Sequence, residues 1–406
     1  MRSIELSIGK NYVTNWGLWE AIREIIQNGQ DSEKEGNLLS IRYDSLKQIL
    51  TITNEGAELD IQSLVLGNSI KSSPEAIGKY GEGYKLALVV LLRLGKDITI
   101  TSDDEIWKPS FKESETFSTE VLTIEINSNE KTNKVEFKIN NISNEEYQFL
   151  CIRSLRLLKE TKPRKKLKEI ECDYGKIILN DDLKGNFYVE GLFVQNDENF
   201  KYSYNFNVNE VDLDRDRKAI NYYDLCALTT KSLLTQTENF EIVETSIEYK
   251  THDSSDIKYF YNKASEDFKQ GYALNYVTKH KKEKDTFFGT EKEVEIFKAL
   301  EDSDDAVIVD EITASWLNDG LGNSERYYDI KAKAHEKQSE DLAMKLYEQS
   351  VLYELNNWLI KNCEQLTNDA VKDLLYILDG VHVSNIDNIR KDIRKQVRNA
   401  CGIDED

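Results

Sequence analysis

The segment Arg23–Asp31 constrains the fold of this chain more than any other. It reads Arg-Glu-Ile-Ile-Gln-Asn-Gly-Gln-Asp and has the pattern of an amphipathic helix. Glu24 and Asn28 are spaced so that their side chains share one helix face, with Asp31 one turn further along. A carboxylate that can orient water and an amide oxygen that can bind Mg²⁺ would then share one wall of a pocket. An exposed face of an ordinary charged helix fits the same residues.

Two segments further along the chain carry glycines at which a ligand could approach the backbone. The first ends an alternating strand at Asn54 and turns at Gly56. The second places Gly78, Gly81 and Gly83 directly ahead of an apolar run of helical character. Such glycines leave N–H groups facing an anion, and the helix that follows adds the positive end of its dipole. The cluster has neither the Lys-Ser/Thr ending of a P-loop nor the spacing of a Rossmann fingerprint.

In order and spacing, these three segments resemble the boxes of the ATP-binding (Bergerat) fold of the GHKL superfamily. That superfamily includes gyrase-type topoisomerases, Hsp90 chaperones, histidine kinases and MutL proteins. The helix resembles the N-box in its Hsp90 form, and Asn54–Gly56 lies where the adenine-binding Asp-x-Gly box is expected. Gly78–Gly83 matches the Gly-x-x-Gly-x-Gly phosphate box, and Gly67–Ser73 resembles the entry to the ATP lid. The resemblance covers about the first 150 residues and implies ATP and Mg²⁺ as ligands.

The resemblance implies a role for each matched residue. Glu24 would be the general base that positions the attacking water, Asn28 would coordinate Mg²⁺, and Asp31 would support the pocket. The three glycines of the phosphate box would donate backbone N–H groups to the phosphates. Such a site works mainly by positioning and electrostatic stabilisation.

Three further residues are candidates with a plain alternative. Thr119 lies in Ser118–Val121, which resembles the Gly-Thr-x-Val box, and would contact a phosphate or serve as an ordinary strand residue. Lys71 and Lys85 would add positive charge near the phosphates or be solvated lysines.

Two positions depart from the family pattern. Asn54 replaces the aspartate that accepts a hydrogen bond from the adenine amino group, and an asparagine side chain can either accept or donate. Glu58 replaces the second glycine of the same box, so the turn after Gly56 is expected to differ. Adenine remains the expected base, and hydrolysis remains expected because neither change affects Glu24 or Asn28.

The predicted fold class is α/β, with three regions in sequence. Residues 1–150 form a Bergerat-fold two-layer α/β sandwich, residues 165–250 a small transducer-like α/β domain, and residues 251–406 an α-rich region. By the same resemblance, Arg215 or Arg217 would reach the γ-phosphate from the second region; a charged turn paired with neighbouring aspartates fits these arginines equally.

The net charge of −21 argues against a protein whose whole surface binds nucleic acid. The basic run Lys159–Lys168 is interpreted as a linker, with a nucleic-acid or phosphate contact as the alternative. The five scattered cysteines favour reduced thiols, and no apolar run approaches the ~18 residues of a membrane span. We therefore expect a cytoplasmic protein.

The function expected from these features is that of an ATP-dependent conformational switch. ATP and Mg²⁺ would close a lid between Glu58 and Ile77, and two protomers would associate on a macromolecular partner until slow hydrolysis released them. Stand-alone proteins of this kind, including phage-encoded ones, resemble the chain in size. The alternative is a nucleotide-sensing module that binds a partner protein without hydrolysis.

Overall fold

Alternating apolar residues build a seven-stranded antiparallel sheet in the computed structural model. The model describes residues 2–65, 83–161, 167–213, 219–249, 254–348, 351–362 and 365–379. The strands are β1 (Arg2–Gly9), β2 (Leu38–Asp44), β3 (Ile49–Glu55), β4 (Asp97–Ser102), β5 (Glu105–Ser114), β6 (Thr119–Ser128) and β7 (Lys134–Asn140). Their order across the sheet is β1-β6-β5-β4-β7-β3-β2, and every neighbouring pair is antiparallel.

Two helices, α1 (Leu18–Lys34) and α2 (Gly83–Arg93), pack together over this sheet. α1 buries one apolar face, which includes Trp19, Ile22 and Ile26, whereas α2 is apolar on nearly all sides and is almost entirely buried. Both helices share one hydrophobic core with the inward side chains of the strands. This arrangement confirms the predicted two-layer α/β sandwich.

The start of α1 is fixed by Arg93, the last residue of α2. Its guanidinium donates hydrogen bonds to the carbonyls of Lys10, Tyr12, Val13 and Trp16, at 2.9–3.3 Å. These carbonyls line the connection between β1 and α1. Because one side chain holds the whole connection, the direction of α1 over the sheet is tied to the end of α2.

A smaller five-stranded sheet follows two short helices, α3 (Asn144–Arg153) and α4 (Leu155–Thr161). Its strands are β8 (Glu169–Cys172), β9 (Gly175–Ile178), β10 (Asn186–Val189), β11 (Leu192–Asn196) and β12 (Ser203–Phe206), in the order β11-β10-β12-β9-β8. β10 and β12 are parallel, and the other pairs are antiparallel. With α5 (Tyr222–Leu234) and α6 (Phe240–Glu248), this sheet confirms the predicted small α/β region.

The smaller sheet reaches α1 directly. Gln30 Nε2 donates to the carbonyl of Glu190 at 3.1 Å. On α4, Arg156 donates to both carboxylate oxygens of Glu33, at 2.6 and 3.0 Å, and to the carbonyl of Leu39 at 2.7 Å. One side of α1 is therefore held by the region that follows the first sheet.

The chain divides into two units, Met1–Lys263 and Ala264–Asp406. Both sheets described above lie in the first unit. Residues near Asp256 also belong to it, because the fully buried Asp256 carboxylate accepts hydrogen bonds from the backbone N–H groups of Lys201 and Tyr202 and from the hydroxyl of Tyr204. The boundary thus follows Lys263, later than the predicted start of the third region at residue 251.

The second unit is rich in helices, as predicted. Its elements are α7 (Glu266–His280), β13 (Phe287–Gly289), α8 (Glu291–Glu301), β14 (Ala306–Ile308), α9 (Glu311–Leu321), α10 (Ser324–Glu348), α11 (Val351–Asn362) and α12 (Asn368–Asp379). β13 and β14 pair in parallel through α8. Across all described residues, no helix combines the length and apolar character of a membrane span.

Candidate functional site

The predicted acid–amide face lies on α1, where Glu24, Asn28 and Asp31 follow one another along the helix. The Glu24 side chain is 13% exposed, Asn28 is half-buried, and Asp31 is buried. Glu24 Oε1 accepts a hydrogen bond from Nη2 of the buried Arg23 at 3.1 Å. The carboxylate is thus held at a defined place on the helix surface.

Gly83 begins α2 directly beside Glu24. An ideal β-carbon built on Gly83 would overlap Glu24 Oε2 and would lie 3.2 Å from Glu24 Cδ. A residue with a β-carbon at this position would require the Glu24 carboxylate to move. The last glycine of the predicted phosphate box and the predicted base therefore meet in space, although they are far apart in sequence.

Asn54 lies at the end of β3, where it contacts α1 at Gly29. Its Nδ2 donates to the carbonyl of Gly29 at 2.9 Å and to that of Asn37 at 3.4 Å. An amide turned the other way would direct its oxygen at two carbonyl oxygens, which is unfavourable. Asn54 Oδ1 is therefore the atom of this side chain that is left to accept a hydrogen bond.

Gly29 makes this arrangement possible. A β-carbon there would lie 2.8 Å from Leu39 Cδ1 and 3.1 Å from Asn54 Oδ1. Glycine inside a helix is intrinsically unfavourable, so its presence within α1 marks a close approach of two elements. Three site residues received no individual role from the sequence: Arg23, Gly29 and Asn37. The only sequence signal among them was a glycine inside a helix, Gly29.

Gly56 adopts a φ of +85°, as expected for the turn after β3. Its N–H donates to the carbonyl of Asn133 at 2.8 Å, which ties the turn to the segment before β7. A β-carbon at this position would lie 3.0 Å from Asn37 Oδ1. The turn at Gly56 thus fixes the backbone directly after Asn54.

Lys85 is not a solvated lysine, contrary to one of its two predicted roles. The residue is fully buried, and its Nζ donates to the carbonyls of Ser63 and Val65, both at 2.7 Å. The adjacent Tyr84 hydroxyl lies 2.7 Å from Ser63 Oγ, and burial raises the pKa of Tyr84 to about 12. The first turn of α2 therefore holds the short 3₁₀ helix Ile61–Leu64.

Thr119 is not brought to this cluster. It is an exposed residue at the start of β6, where it pairs with Ser114 of β5. β5, β4 and β7 lie between β6 and the strand that carries Asn54. The strand that pairs with β3 on that side is β7, with Val135 opposite Asn54. The predicted phosphate contact of Thr119 stays a prediction, and its alternative as a strand residue agrees with its place at the start of β6.

Five predicted site residues lie outside the described residues. They are Lys71, Gly78, Gly81, Arg215 and Arg217. The same holds for the segment Gly67–Ser73 and for residues 162–166 of the basic run Lys159–Lys168. Their roles stay predictions.

Mg²⁺ prefers oxygen ligands and commonly uses one or two protein oxygens together with phosphate oxygens and water. In the described part of the chain, no group of three or more His, Cys, Asp or Glu residues is arranged to hold a metal ion. The amide oxygen of Asn28, together with the phosphates of a nucleotide, would be such a set of oxygen ligands. The residues present thus fit a nucleotide-bound Mg²⁺ rather than an all-protein metal site.

Comparison with known proteins places a family match on the second part of the first unit. A family model described as the Mycoplasma pneumoniae MPN635 N-terminal domain matches residues 155–239, which include α4, the smaller sheet and α5. A curated uncharacterized protein from Mycoplasma pneumoniae is 25% identical over 212 residues, which is 50% of this chain and 83% of that protein.

Among solved structures, the ATPase region of Saccharomyces cerevisiae topoisomerase II matches with 12% identity and a TM-score of 0.30, over 44% of this chain and 62% of that one. The match therefore spans less than two thirds of the yeast chain. The ATPase and transducer domains of DNA topoisomerase II from Balamuthia mandrillaris match with 10% identity and a TM-score of 0.29, over 59% and 70% of the two chains. At these values the likeness is distant, and a function has to be argued from the site itself.

Proposed function

We propose that the chain binds Mg-ATP beside α1 and hydrolyses it slowly, as a GHKL-type ATPase that acts as a conformational switch. The observation that carries the proposal is the contact between Gly83 and Glu24. It brings a backbone glycine at a helix N-terminus next to a carboxylate that Arg23 holds in place. A phosphoryl-transfer site needs these two elements side by side.

The phosphates would lie at the start of α2. Gly83 and, ahead of it, Gly78 and Gly81 would offer N–H groups, and the dipole of α2 would favour the negative charge. Glu24 would accept a hydrogen bond from the attacking water and orient it. Mg²⁺, when bound by the Asn28 amide oxygen and the phosphates, would neutralise charge that develops on the phosphate oxygens.

The base would be read by Asn54. Because Nδ2 is engaged by the carbonyls of Gly29 and Asn37, Oδ1 is presented as an acceptor. An acceptor selects the exocyclic amino group of adenine over the 6-oxo group of guanine. Asn54 would thus do what the family aspartate does, and Asp31 would support the same wall.

The switch would involve the region after α4. Arg215 or Arg217 would reach the γ-phosphate as that region docks, since a guanidinium binds phosphate oxygens bidentately. Two contacts tie this part of the chain to α1, the helix that carries the base. Gln30 of α1 donates to the carbonyl of Glu190, and Arg156 of α4 donates to Glu33 of α1. Two protomers would associate in the ATP-bound state and act on a macromolecular partner.

The decisive experiment compares Glu24→Gln with the wild type. Nucleotide binding is measured by calorimetry, and hydrolysis by phosphate release. We expect ATP binding to persist while turnover falls by roughly 100-fold or more, the range typical of a lost general base. Glu113→Gln removes an exposed carboxylate of β5 and serves as the control. Undiminished turnover in Glu24→Gln would rule out the assigned base.

A second candidate is a nucleotide-sensing module that does not hydrolyse ATP. The ion pair between Arg23 and Glu24 favours it, because one carboxylate oxygen is already engaged. Sedimentation with ADP and with a non-hydrolysable ATP analogue separates the two functions. Turnover together with nucleotide-dependent dimerisation supports the switch, whereas tight binding without either supports the module.

A further inference from the structure

A cavity of about 700 Å³ lies at the N-terminus of α1, between that helix, α3 and β11. Its volume is within the range of small-molecule binding sites. The walls include the first turn of α1, at Leu18 and Trp19, and two aromatic side chains, Phe149 and Phe193. None of these residues was assigned to the nucleotide site.

Arg153 of α3 lines this cavity and has an unusual environment. Its guanidinium lies 3.7 Å from the centre of the Phe149 ring and 5.1 Å from that of Phe193. In the described part of the chain, no carboxylate lies within ion-pair distance of it. Burial lowers the pKa of the Arg153 guanidinium, yet an arginine stays charged in proteins. The half-buried Arg153 guanidinium thus lines the cavity with aromatic neighbours, and Glu20 is the carboxylate whose charge acts on it from a distance.

Arg23 provides a second, independent sign of a ligand. The residue is 3% exposed and lines the same cavity. Its Nη2 pairs with Glu24, but its Nε is buried without any acceptor among the described residues. A buried donor without an acceptor is unfavourable, and an anion in the cavity would stabilise the charge of this buried guanidinium. The N–H groups of the first turn of α1 have no partner within the helix and face the same end.

Three acidic residues also line the cavity, and each is engaged. Glu20 Oε2 accepts from the Gly17 N–H at 2.8 Å. Both carboxylate oxygens of Glu146 accept from Lys96 Nζ at 2.7 Å. Hydrogen bonds from its own backbone N–H and from Ser143 lower the pKa of Glu145. Glu20 and Glu146 are thus the capping-box carboxylates of α1 and α3, and Glu146 is also paired with Lys96.

We propose that this cavity binds a small organic anion. Its carboxylate or phosphate would meet Arg153 and be attracted by the charge of the buried Arg23 guanidinium, and its flat apolar body would lie against Phe149 and Phe193. Stacking on aromatic rings and charge-assisted hydrogen bonds to guanidinium together favour such a ligand. Arg153, Phe149 and Phe193 are not residues of the proposed nucleotide pocket. Binding of the anion can therefore be tested separately from ATP hydrolysis.

The test uses calorimetry on the full chain with benzoate, phenylphosphate and benzylammonium as probes. We expect saturable binding of at least one anionic probe and none of benzylammonium. The two anions distinguish a carboxylate from a phosphate head. Arg153→Gln should weaken binding by about tenfold or more, the range of a lost charge-assisted hydrogen bond, and Val194→Trp should abolish it by filling the cavity.

Arg42→Gln, which changes an exposed arginine of β2, is the matched control and should bind like the wild type. Thermal unfolding of each variant shows whether it is folded. Three results would overturn the proposal: no saturable binding of either anion at millimolar concentration, equal binding to Arg153→Gln, or a preference for benzylammonium.

Discussion

Gly83 packs against the carboxylate of Glu24 with no room for a β-carbon between them. This contact joins the first residue of α2 to the middle of α1, and a β-carbon at Gly83 would require the Glu24 carboxylate to move. Substitution at this one position tests whether the contact matters for chemistry.

We expect Gly83→Ala to lower ATP turnover by roughly tenfold or more, since a displacement of about 1 Å at a reacting group can reduce a rate by up to 10²-fold. The new methyl group must push the Glu24 side chain aside. Phosphate release measures the effect. Gly9→Ala is the matched control, because its β-carbon would lie an ordinary 3.8 Å from the carbonyl of Glu120. Equal turnover in the two variants would show that the position of Glu24 is unimportant.

Asn54→Asp tests the assigned orientation of the amide. A carboxylate would direct an oxygen at the carbonyls of Gly29 and Asn37, so we expect a loss of about 1–3 kcal/mol in the free energy of unfolding at neutral pH. The loss should shrink below about pH 4, where a protonated carboxyl can donate again. Urea unfolding at several pH values measures both effects.

Asn221→Asp is the control for this substitution. Asn221 Oδ1 caps α5 by accepting from the Tyr223 N–H at 2.9 Å, and aspartate caps helices as well as asparagine does. If Asn54→Asp were as stable as this control at neutral pH, the Asn54 amide would not be oriented by the two carbonyls.

The helical spacing of Glu24, Asn28 and Asp31 sufficed to predict that they share one face, because that relation is local. The orientation of Asn54 could not be predicted in the same way. It depends on where the carbonyls of Gly29 and Asn37 point after α1 has packed on the first sheet. Sequence patterns identify the residue type at such a position but not its tertiary partners.

Strand order limited the predictions in a similar manner. Alternating residues are visible in β6 and β7, but they do not tell which strand lies beside β3, and Thr119 was proposed as a phosphate contact on local resemblance alone. In β5, Pro109 and nearby charges interrupt the alternating pattern. Pro109 lies beyond Trp107, the last residue of β5 that pairs with β4. There the strand has one neighbour, and a missing N–H is tolerated.

Lys85→Met separates a structural role of this lysine from a phosphate-binding one. Removing the ammonium leaves the buried carbonyls of Ser63 and Val65 without their donor, so we expect a loss of about 1–3 kcal/mol in the free energy of unfolding without nucleotide. Hydrogen exchange should also increase in the Ile61–Leu64 turn. Lys108→Met, at an exposed position of β5, is the control. Unchanged stability with weakened ATP binding would contradict the structural role.

Asp256 makes the stability of the first unit depend on pH. Burial raises the pKa of its carboxyl and outweighs the donors of Tyr204, Lys201, Ser254 and Tyr202 that favour the charged form. The folded state therefore binds more protons than the unfolded state between about pH 4, the unfolded pKa, and the raised folded pKa. This group's contribution is fully present below that window and is lost as the pH rises through it.

Asp256→Asn should remove this dependence, because an amide does not titrate. We expect the stability difference between the wild type and Asp256→Asn to change with a slope of up to about 1.4 kcal/mol per pH unit inside the window, in the direction of a less stable wild type as the pH rises. Urea unfolding from pH 4 to 7 measures it. Asp224→Asn, at an exposed position of α5, should show no such slope. A difference between wild type and Asp256→Asn that stays constant over this range would mean that the buried carboxyl remains charged throughout, held by its four donors.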